Sequence, residues 1–577
     1  MKRLLRGLLL AWTAFWLLLF VVAVAAVALR RPVKDSSILR VRFDGPIAEG
    51  ASASLRGLLG EGEMPTLRAL CEAIRFAATD KRIKGLVLEV DSPEVGIATV
   101  QEVEEAMAAF RASGKWNVAF LETAGELGSG DAAYALAVTA DDVVLSPAGD
   151  ANLTGMRVTV PFLKGAFDKL NIQPYFDKRY DYKTAANAFT QSGFTPAHKE
   201  SLVSLVDDLQ SSLVSHLATR RKQKPEDVWR WIKGGVHPAD EAEKLGMVDR
   251  LAYWDTVADE ANALSGRDTE TFIDIETYAP NVSLHEQGPA VALIYATGEI
   301  HRGESAAGLG SERSTGSDTL VAAFREARAE AVRGIVLRVD SPGGSAVASD
   351  VIRREVEACH AAKIPVVVSM GSYAASGGYF VALDADRIVA EPGTITGSIG
   401  VFAGTFATRA FFEKFLGVTF GVYETAPEAA HFGGIDALDA RTKKQLGESL
   451  DRIYKDFVTK VAAGRKKSYA EIHAVAQGRV WSGRAALERG LVDELGGLEL
   501  ALTRVRELAG LKATEPVSVH ELPAPKTRFE MLAQALESRA ALALPSRLAS
   551  ALAAVRAAAR PLGEQTLALP FRVELGD

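Results

Sequence analysis

The sequence predicts an α/β protein built from two tandem copies of one domain behind an apolar N-terminal segment. Two repeated patterns predict the duplication. Residues 84–93 (KGLVLEVDSP) reappear as residues 333–342 (RGIVLRVDSP), and residues 242–249 (AEKLGMVD) reappear in outline as residues 486–493 (ALERGLVD). The copies of each pattern lie roughly 250 positions apart in the same order, which indicates a duplicated domain and not a short-period repeat.

Length and composition indicate a folded chain of several domains. Its 577 residues are more than one hydrophobic core usually holds. The 48% hydrophobic and 24% charged content is typical of globular proteins. The net charge of -7 argues against nucleic acid as the main partner, because phosphate binding needs a dense field of Lys and Arg. Cys71 and Cys359 have no metal-ligand spacing and are predicted to be small buried residues.

The N-terminus predicts a membrane anchor. Residues 7–29 carry no charge, and a transmembrane helix needs about 20 apolar residues. The alternative is a cleavable signal peptide, whose apolar core is usually shorter, about 7–15 residues. Basic residues flank both sides almost equally, so they do not set the orientation. We expect residues 1–34 to be a single-pass anchor for a large body.

Each copy is predicted to alternate strands and helices. Short β-branched runs at residues 334–339 and 365–369 predict buried strands, and residues 349–362 predict a helix between them. This alternation implies parallel strands with crossover helices. Apolar stripes at helical spacing predict one long core helix in each copy; they comprise Leu202, Leu205, Leu209 and Leu213, and Leu446, Leu450, Ile453 and Phe457.

We place the first copy at residues 35–285 and the second at residues 286–513. Residues 514–577 interleave leucines with arginines and predict an amphipathic helical tail. Such a tail can lie on a membrane surface. We favour packing against its own body or a neighbouring subunit.

Two glycine-rich turns of the second copy suggest acyl-transfer chemistry. Residues 340–345 (DSPGGS) and residues 372–379 (SYAASGGY) each follow a predicted strand. Ser376 is the candidate nucleophile because it is flanked by small residues that let a substrate approach. A developing oxyanion needs backbone N–H donors, and glycine allows close approach, so Gly377 and Gly344 are the candidate donors.

A serine nucleophile needs a base. Histidine is the usual one, but none of the nine histidines stands in a characteristic position; His360 and His431 are the weak candidates. A lysine can serve when burial disfavours its charged form. Lys183 lies in a small, apolar setting (residues 182–189, YKTAANAF), although a surface lysine is the commoner explanation of such a residue.

Together these motifs resemble the signal peptide peptidase A family in its long, duplicated bacterial form. The resemblance covers about residues 38–510. It rests on residues 340–345, 373–379, 394–401 (TITGSIGV), 478–483 (GRVWSG) and 490–493 (GLVD). It implies a ClpP/crotonase-like fold and a Ser/Lys dyad of Ser376 and Lys183. It also implies oxyanion donors at Gly344 and Gly377, and Ser398 as a residue that orients the lysine.

The resemblance further implies a biological setting. Members of this family degrade signal peptides after their release from secreted precursors, together with other hydrophobic peptides, and need no cofactor or metal. The long form is a homotetramer in the bacterial inner (cytoplasmic) membrane. Its N-terminus is then cytoplasmic, and its catalytic body is periplasmic.

The two copies complement each other at the candidate site. Where the second copy has Ser376, the first has Asp131, which we expect to be a solvated turn residue. Where the first copy has Lys183, the second has Glu424 or a neighbour, and Met156 replaces the equivalent of Ser398. Each copy therefore retains one half of a dyad, and the site is expected where the copies meet.

Two alternatives remain. A crotonase-type thioester enzyme shares the oxyanion turns but needs no serine nucleophile. A membrane-bound scaffold with degenerate sites is disfavoured, because a complete set of residues survives once both copies are counted.

Overall fold

The computed structural model describes residues 33–50, 64–126, 128–267, 271–306, 313–426, 433–512, 515–524 and 566–567. The apolar segment 7–29, and with it the predicted anchor, lies outside these residues, as does most of the predicted tail. Within the described ranges, no helix combines the length and the apolar composition that a membrane crossing requires.

The first copy begins with a buried strand and alternates strands with helices. Its strands are β1 (Ser37–Phe43), β2 (Ile83–Val90), β3 (Trp116–Leu121), β4 (Asp142–Leu145), β5 (Asp150–Leu153), β6 (Gln173–Lys178), β7 (Gly235–Pro238), β8 (Arg250–Leu251) and β9 (Phe272–Asp274). Its helices are α1 (Leu67–Thr79), α2 (Ile97–Ala112), α3 (Asp131–Ala137), α4 (Lys164–Leu170), α5 (Asn187–Thr190), α6 (Pro196–Arg221), α7 (Pro225–Gly234), α8 (Ala239–Lys244), α9 (Trp254–Ser265) and α10 (Ile275–Tyr278).

The second copy repeats this alternation. Its strands are β10 (Ala290–Thr297), β11 (Glu299–His301), β12 (Ser314–Gly316), β13 (Gly334–Ser341), β14 (Gly344–Ser345), β15 (Val366–Ala375), β16 (Arg387–Ala390), β17 (Ile395–Gly397), β18 (Phe402–Ala407), β19 (Val480–Ser482), β20 (Glu494–Leu495), β21 (Ser518–Leu522) and β22 (Thr566–Leu567). Its helices are α11 (Ser317–Ala329), α12 (Ala346–Ala361), α13 (Gly377–Phe380), α14 (Arg409–Phe411), α15 (Ala440–Gly464), α16 (Tyr469–Val475), α17 (Gly483–Glu488) and α18 (Leu498–Leu508), with a π-helical turn at Phe412–Leu416.

The two copies have the same central sheet. The first has the strand order β8-β4-β3-β2-β1-β9, and the second contains the matching order β20-β16-β15-β13-β10-β21. Neighbouring strands along both paths are parallel. Central strands such as β13 are buried along most of their length, as expected when helices cover both faces. The predicted duplicated α/β fold is therefore confirmed.

The predicted core helices are also confirmed. Helix α6 carries the first apolar stripe with all four leucines buried, and α15 carries the second, in which Ile453 is only partly buried. Both cysteines are free and buried, as expected. Thr195 caps α6 by accepting a hydrogen bond from the N–H of His198, and Pro196 occupies the first helical position, where its missing N–H costs nothing.

A third sheet joins the two copies. Its order is β12-β11-β14-β22-β18-β6, so a strand of the first copy extends a sheet of the second. Strands β6 and β18 run antiparallel, with Lys178 opposite Phe402 and Gln173 opposite Ala407. Because Lys183 follows β6 by five positions, this pairing carries the lysine segment of the first copy to the second.

A buried ion cluster also links the copies. Arg338 on β13 is 1% exposed and contacts Glu49 (Nη2–Oε1 2.7 Å) as well as Glu102 on α2. Arg338 also donates to the hydroxyl of Ser369 on β15. A buried guanidinium is tolerated only when it is paired in this way, so the cluster fixes how α2 of the first copy seats on the second.

Candidate active site

Ser376 lies at the junction between β15 and α13. Its backbone has φ 57° and ψ -112°, a strained conformation for a residue with a side chain, and its N–H donates to the carbonyl of Gly397 at 2.8 Å. Such strain is typical of a nucleophile held on a sharp strand-to-helix turn. The side chain is fully buried in the single chain.

The two predicted oxyanion donors lie side by side. A Cβ atom built on Gly377 would stand 3.0 Å from the backbone nitrogen of Gly344. Gly344 has φ +153°, and a Cβ there would stand 2.0 Å from the carbonyl oxygen of Ile300. Gly344 therefore requires glycine, a Cβ on Gly377 would crowd the amide of Gly344, and the amide of Gly377 directly follows Ser376 in the chain.

Lys183 reaches Ser376 from the first copy. Its Nζ lies 2.7 Å from Ser376 Oγ, 3.0 Å from Ser398 Oγ and 3.1 Å from the carbonyl oxygen of Ser398. The lysine is 1% exposed, and burial lowers its pKa to about 7. Burial disfavours the ammonium form, so a large fraction of the amine is neutral near pH 7.

The neutral amine fits these three contacts. It has two N–H groups and one lone pair. The N–H groups can donate to the two oxygens of Ser398, which leaves the lone pair to accept the proton of Ser376. Ser398 itself has φ 50°, and its N–H donates to the carbonyl of Arg479 at 2.8 Å. The residue predicted to orient the lysine is therefore in contact with it.

Two glycines that the sequence did not single out as site residues pack against Lys183. Gly478 has φ +87°, and a Cβ there would stand 2.5 Å from Lys183 Cβ. A Cβ on Gly400 would stand 3.3 Å from Lys183 Cδ. Both belong to sequence motifs noted above, but only the fold shows that they line the lysine.

The corresponding position of the first copy is not a solvated turn. Asp131 is 1% exposed, so the expectation of solvation is wrong. Its Oδ2 accepts from the hydroxyl of Ser129 and from the N–H groups of Thr154 and Gly155. Burial raises the pKa of Asp131, while these hydrogen bonds act in the opposite direction. The carboxylate thus fixes the loop after β5.

The suggested counterpart of Lys183, Glu424 or a neighbour, stays a prediction. Helix α4 ends at Asn171 (φ 53°) and the π-turn of the second copy ends at Gly417 (φ 65°), so these left-handed residues are equivalent. Counting onward from them, Glu424 corresponds to Lys178. On the same spacing, a position that matches Lys183 would lie five residues after Glu424, outside the described residues.

The histidine alternatives receive no support. His360 on α12 pairs with Asp386 at 3.1 Å, and this pairing raises its pKa. His431 lies outside the described residues. Among the residues that the structure describes, no group of three or more His, Cys, Asp or Glu is arranged to hold a metal ion.

A strand-shaped slot lies beside Gly344, one of the two candidate oxyanion donors. Strand β22 occupies it, running antiparallel to β14 on one side, with Leu567 opposite Gly344, and antiparallel to β18 on the other, with Thr566 opposite Phe402. The slot therefore accepts an extended backbone next to Gly344. Strand addition of this kind is a general mode of peptide recognition.

Comparisons with known proteins show the family of this chain. Residues 118–267 and 358–512 each match the family described as Peptidase family S49. Protease 4 of Salmonella typhi is 33% identical over 464 residues, which are 77% of this chain and 72% of that protein.

Two further relatives differ from Protease 4 in how they match: one has a lower identity, and the other matches over a shorter length. Serine protease SPPA, chloroplastic, of Arabidopsis thaliana is 29% identical over 508 residues, 86% of this chain and 72% of that protein. The putative signal peptide peptidase SppA of Enterococcus faecium is 34% identical over 178 residues, 31% of this chain and 52% of that protein. The family match occurs once in each copy, in agreement with the duplication.

Proposed function

Because this chain belongs to peptidase family S49 and is a serine protease, we propose that Ser376 is its nucleophile and Lys183 its general base. The observation that carries the proposal is the 2.7 Å contact between Lys183 Nζ and Ser376 Oγ in a buried site. A base must be within hydrogen-bond reach and have a pKa near the working pH, and Lys183 meets both conditions.

The reaction is a two-step acyl transfer. Ser376 Oγ attacks the peptide carbonyl while its proton moves to the neutral amine of Lys183, and the amides of Gly344 and Gly377 stabilise the resulting oxyanion. The lysine then gives this proton to the leaving amine as the C–N bond breaks. Water attacks the acyl-enzyme with Lys183 again as the base, which releases the acid and restores Ser376.

The slot between β14 and β18 can hold an extended peptide, which supports the assignment of this chain as an endopeptidase. Its wall includes Phe402, which clusters with Ala185, Ala186 and Phe176 at the joint between the copies. This apolar lining suits hydrophobic peptides. We propose cleaved signal peptides as the natural substrates, in keeping with the relative from Enterococcus faecium that carries this name.

We also propose a membrane location and an oligomeric assembly for this chain. The uncharged segment 7–29 anchors the chain in the bacterial inner membrane, with the N-terminus cytoplasmic and the body periplasmic. The anchored chains assemble as a homotetramer. Each copy is proposed to have a ClpP/crotonase-like fold.

A serine-directed acylating probe tests the chemistry. The wild-type chain should be labelled at Ser376, the Ser376→Ala chain should not, and an excess of a hydrophobic peptide added before the probe should slow the labelling. A thioester enzyme of the crotonase type would bind its substrate without covalent modification of Ser376. Absence of labelling in a folded wild-type chain at pH 8 would therefore refute the nucleophile assignment.

A further inference from the structure

Arg479 of the second copy lies against the segment that carries Lys183. It stands just before β19 and contacts two residues of the first copy. Its Nη1 donates to Glu200 Oε1 on α6 at 2.7 Å, and its guanidinium carbon lies 5.0 Å from the centroid of the Tyr182 ring. The Tyr182 hydroxyl donates to Glu200 Oε2 at 2.9 Å. Arg479, Glu200 and Tyr182 therefore form a closed triangle that includes the residue directly before Lys183.

Trp481 on β19 also contacts the Arg479 side chain. The guanidinium carbon lies 4.5 Å from the centroid of the Trp481 ring, within the range of a cation–π contact. Trp481 is itself held in place: its indole N–H donates to the carbonyl of Val475 at 2.9 Å, and the guanidinium of Arg489 lies 3.8 Å from its ring. A buried, fixed indole therefore helps to hold Arg479 in one orientation.

The main chain around Arg479 contacts a second neighbour of the lysine. The Arg479 carbonyl accepts from the N–H of Ser398 at 2.8 Å, and both oxygens of Ser398 contact Lys183 Nζ. The N–H of Gly478 donates to the carbonyl of Ile399 at 2.8 Å, which ties the same turn to the segment of Ser398. Arg479 thus contacts Tyr182 through its side chain and Ser398 through its carbonyl, and these two residues adjoin Lys183 at its backbone and at its amine.

The turn that leads into Arg479 is strained. Gln477 has φ 58° and Gly478 has φ +87°. A residue with a side chain keeps a left-handed backbone only where the surrounding structure fixes it. On one side the N–H of Gln477 donates to the hydroxyl of Tyr454 at 3.3 Å, and on the other the triangle anchors Arg479. Without the Arg479 side chain the turn would lose one of these anchors and could relax away from Lys183.

We propose that Arg479 is a positioning residue, whose side chain and carbonyl together hold Lys183 Nζ in its buried place beside Ser376 Oγ. It acts on the amine through Tyr182 and Ser398. The inference rests on the proposed function, because it assumes that Lys183 is the base. Among the described residues, burial is the cause that lowers the pKa of Lys183 to about 7. A displacement that lets water reach the amine must therefore change the pH dependence of the reaction as well as its rate.

Arg484 on α17 provides a matched comparison. It also joins the second copy to α6, since its Nη2 donates to Asp208 Oδ1 at 2.9 Å, and Ser482 Oγ donates to Asp208 Oδ2 at 3.0 Å. The two arginines therefore make similar bridges between the copies. Only the bridge of Arg479 includes Tyr182, so the two can be compared to separate the position of the lysine from the general strength of the joint.

Steady-state hydrolysis of a hydrophobic peptide ester between pH 5 and pH 10 tests the role of Arg479. Arg479→Met in the full-length chain keeps an apolar stem and removes the guanidinium. We expect kcat at pH 7 to fall at least about tenfold, with little change in KM, because a displaced base affects the chemical step. The midpoint of the pH profile should rise by about one unit, because water then stabilises the ammonium form. Arg484→Met should keep the wild-type kcat and midpoint.

Glu200→Ala keeps the test decisive if Arg479→Met does not fold. The Glu200 side chain is 54% exposed and lies within α6, where alanine is a good helix former, so this variant should fold. It removes the carboxylate that both Arg479 and Tyr182 contact, so we expect the same lower kcat and higher pH midpoint. Thermal unfolding of each variant is the control for stability. A merely structural role would lower the unfolding temperature without moving the pH midpoint.

The outcomes separate this inference from the proposed function. Arg479→Met decides the question if it folds, and Glu200→Ala decides it otherwise; an unchanged kcat and pH midpoint in the deciding variant overturns the inference. An equal loss in Arg484→Met also overturns it. If Ser376→Ala or Lys183→Ala keeps the wild-type activity, the dyad itself falls and the positioning role falls with it. If both are inactive while the deciding variant is unchanged, the dyad stands and only the role of Arg479 falls.

Discussion

Lys183 Nζ lies 2.7 Å from Ser376 Oγ, although the two residues are 193 positions apart in the chain. One belongs to the first copy and the other to the second. The pairing of β6 with β18 places the lysine segment beside the second copy, and Ser376 lies in the turn after β15. The contact therefore depends on the joint between the copies as much as on either residue.

The pH dependence of hydrolysis should follow the ionisation of Lys183. Only the neutral amine accepts the proton of Ser376, and burial lowers the pKa of Lys183 to about 7. We expect kcat/KM for a hydrophobic peptide ester to rise about tenfold per pH unit well below pH 7 and to level off above it. Initial rates between pH 5 and pH 9 measure this. A midpoint near 10, the ordinary value for lysine, would rule out the buried-base assignment.

Replacement of Lys183 should stabilise the fold while it abolishes activity. The pKa of Lys183 is lower in the folded state than in the unfolded state. Between pH 7 and about 10.5 the unfolded chain therefore binds more protons than the folded chain, and the free energy of unfolding rises with pH in this range. The full cost of the buried cation is present below pH 7. Lys183→Met removes that cost.

We expect Lys183→Met to raise the free energy of unfolding by roughly 2–3 kcal/mol more at pH 6 than at pH 9, as measured with urea. The control is Lys244→Met, at a lysine whose side chain is 73% exposed, which should change stability little at either pH. Equal effects of Lys183→Met at both pH values would contradict a depressed pKa.

A single methyl group at Gly478 should disable the site. Its Cβ would stand 2.5 Å from Lys183 Cβ, so the lysine segment must shift away from Ser376. We expect Gly478→Ala to lower kcat at least about tenfold, because small displacements of a catalytic group are costly. Steady-state hydrolysis measures the effect.

The matched control for Gly478→Ala is Gly303→Ala. Gly303 has a similar φ of +92°, but a Cβ there meets nothing within 4 Å. Both variants carry the same kind of backbone strain, about 1 kcal/mol or more, so thermal unfolding should shift in both. A similar loss of kcat in both variants would assign the effect to stability and not to the position of Lys183.

The C-terminal strand should compete with substrates. Because β22 occupies the slot between β14 and β18, a peptide must displace it before it reaches Gly344. Thr566→Pro removes the backbone N–H of one of its two residues and blocks its pairing. We expect a lower KM with little change in kcat, measured by hydrolysis of a short peptide, while Thr566→Ala should keep the wild-type KM. An unchanged KM in the proline variant would show that the slot is not the substrate path.

Local patterns predicted much of this fold. The buried strands and the striped helices depend on periodicities that neighbouring residues carry, so the duplicated sheet and helices α6 and α15 could be expected. The motif around Ser376 was equally local, because a nucleophile turn needs small residues on either side of the serine. Glycines at 344 and 377 followed from the same requirement.

Other features depend on contacts that no local pattern carries. Lys183 had only its small neighbours to distinguish it, and its pKa depends on burial by the second copy. Asp131 was expected to be solvated because a turn carboxylate usually is, but the amides of Thr154 and Gly155 fold over it. Nothing in the sequence distinguishes Gly478 from other turn glycines, because its closeness to Lys183 arises only in the folded chain.

The position of the candidate dyad between the copies has a consequence for truncated chains. Ser376 belongs to the second copy and Lys183 to the first, so a fragment that holds either copy alone contains only one of the two residues. The proposed mechanism therefore predicts that neither fragment hydrolyses peptides by itself.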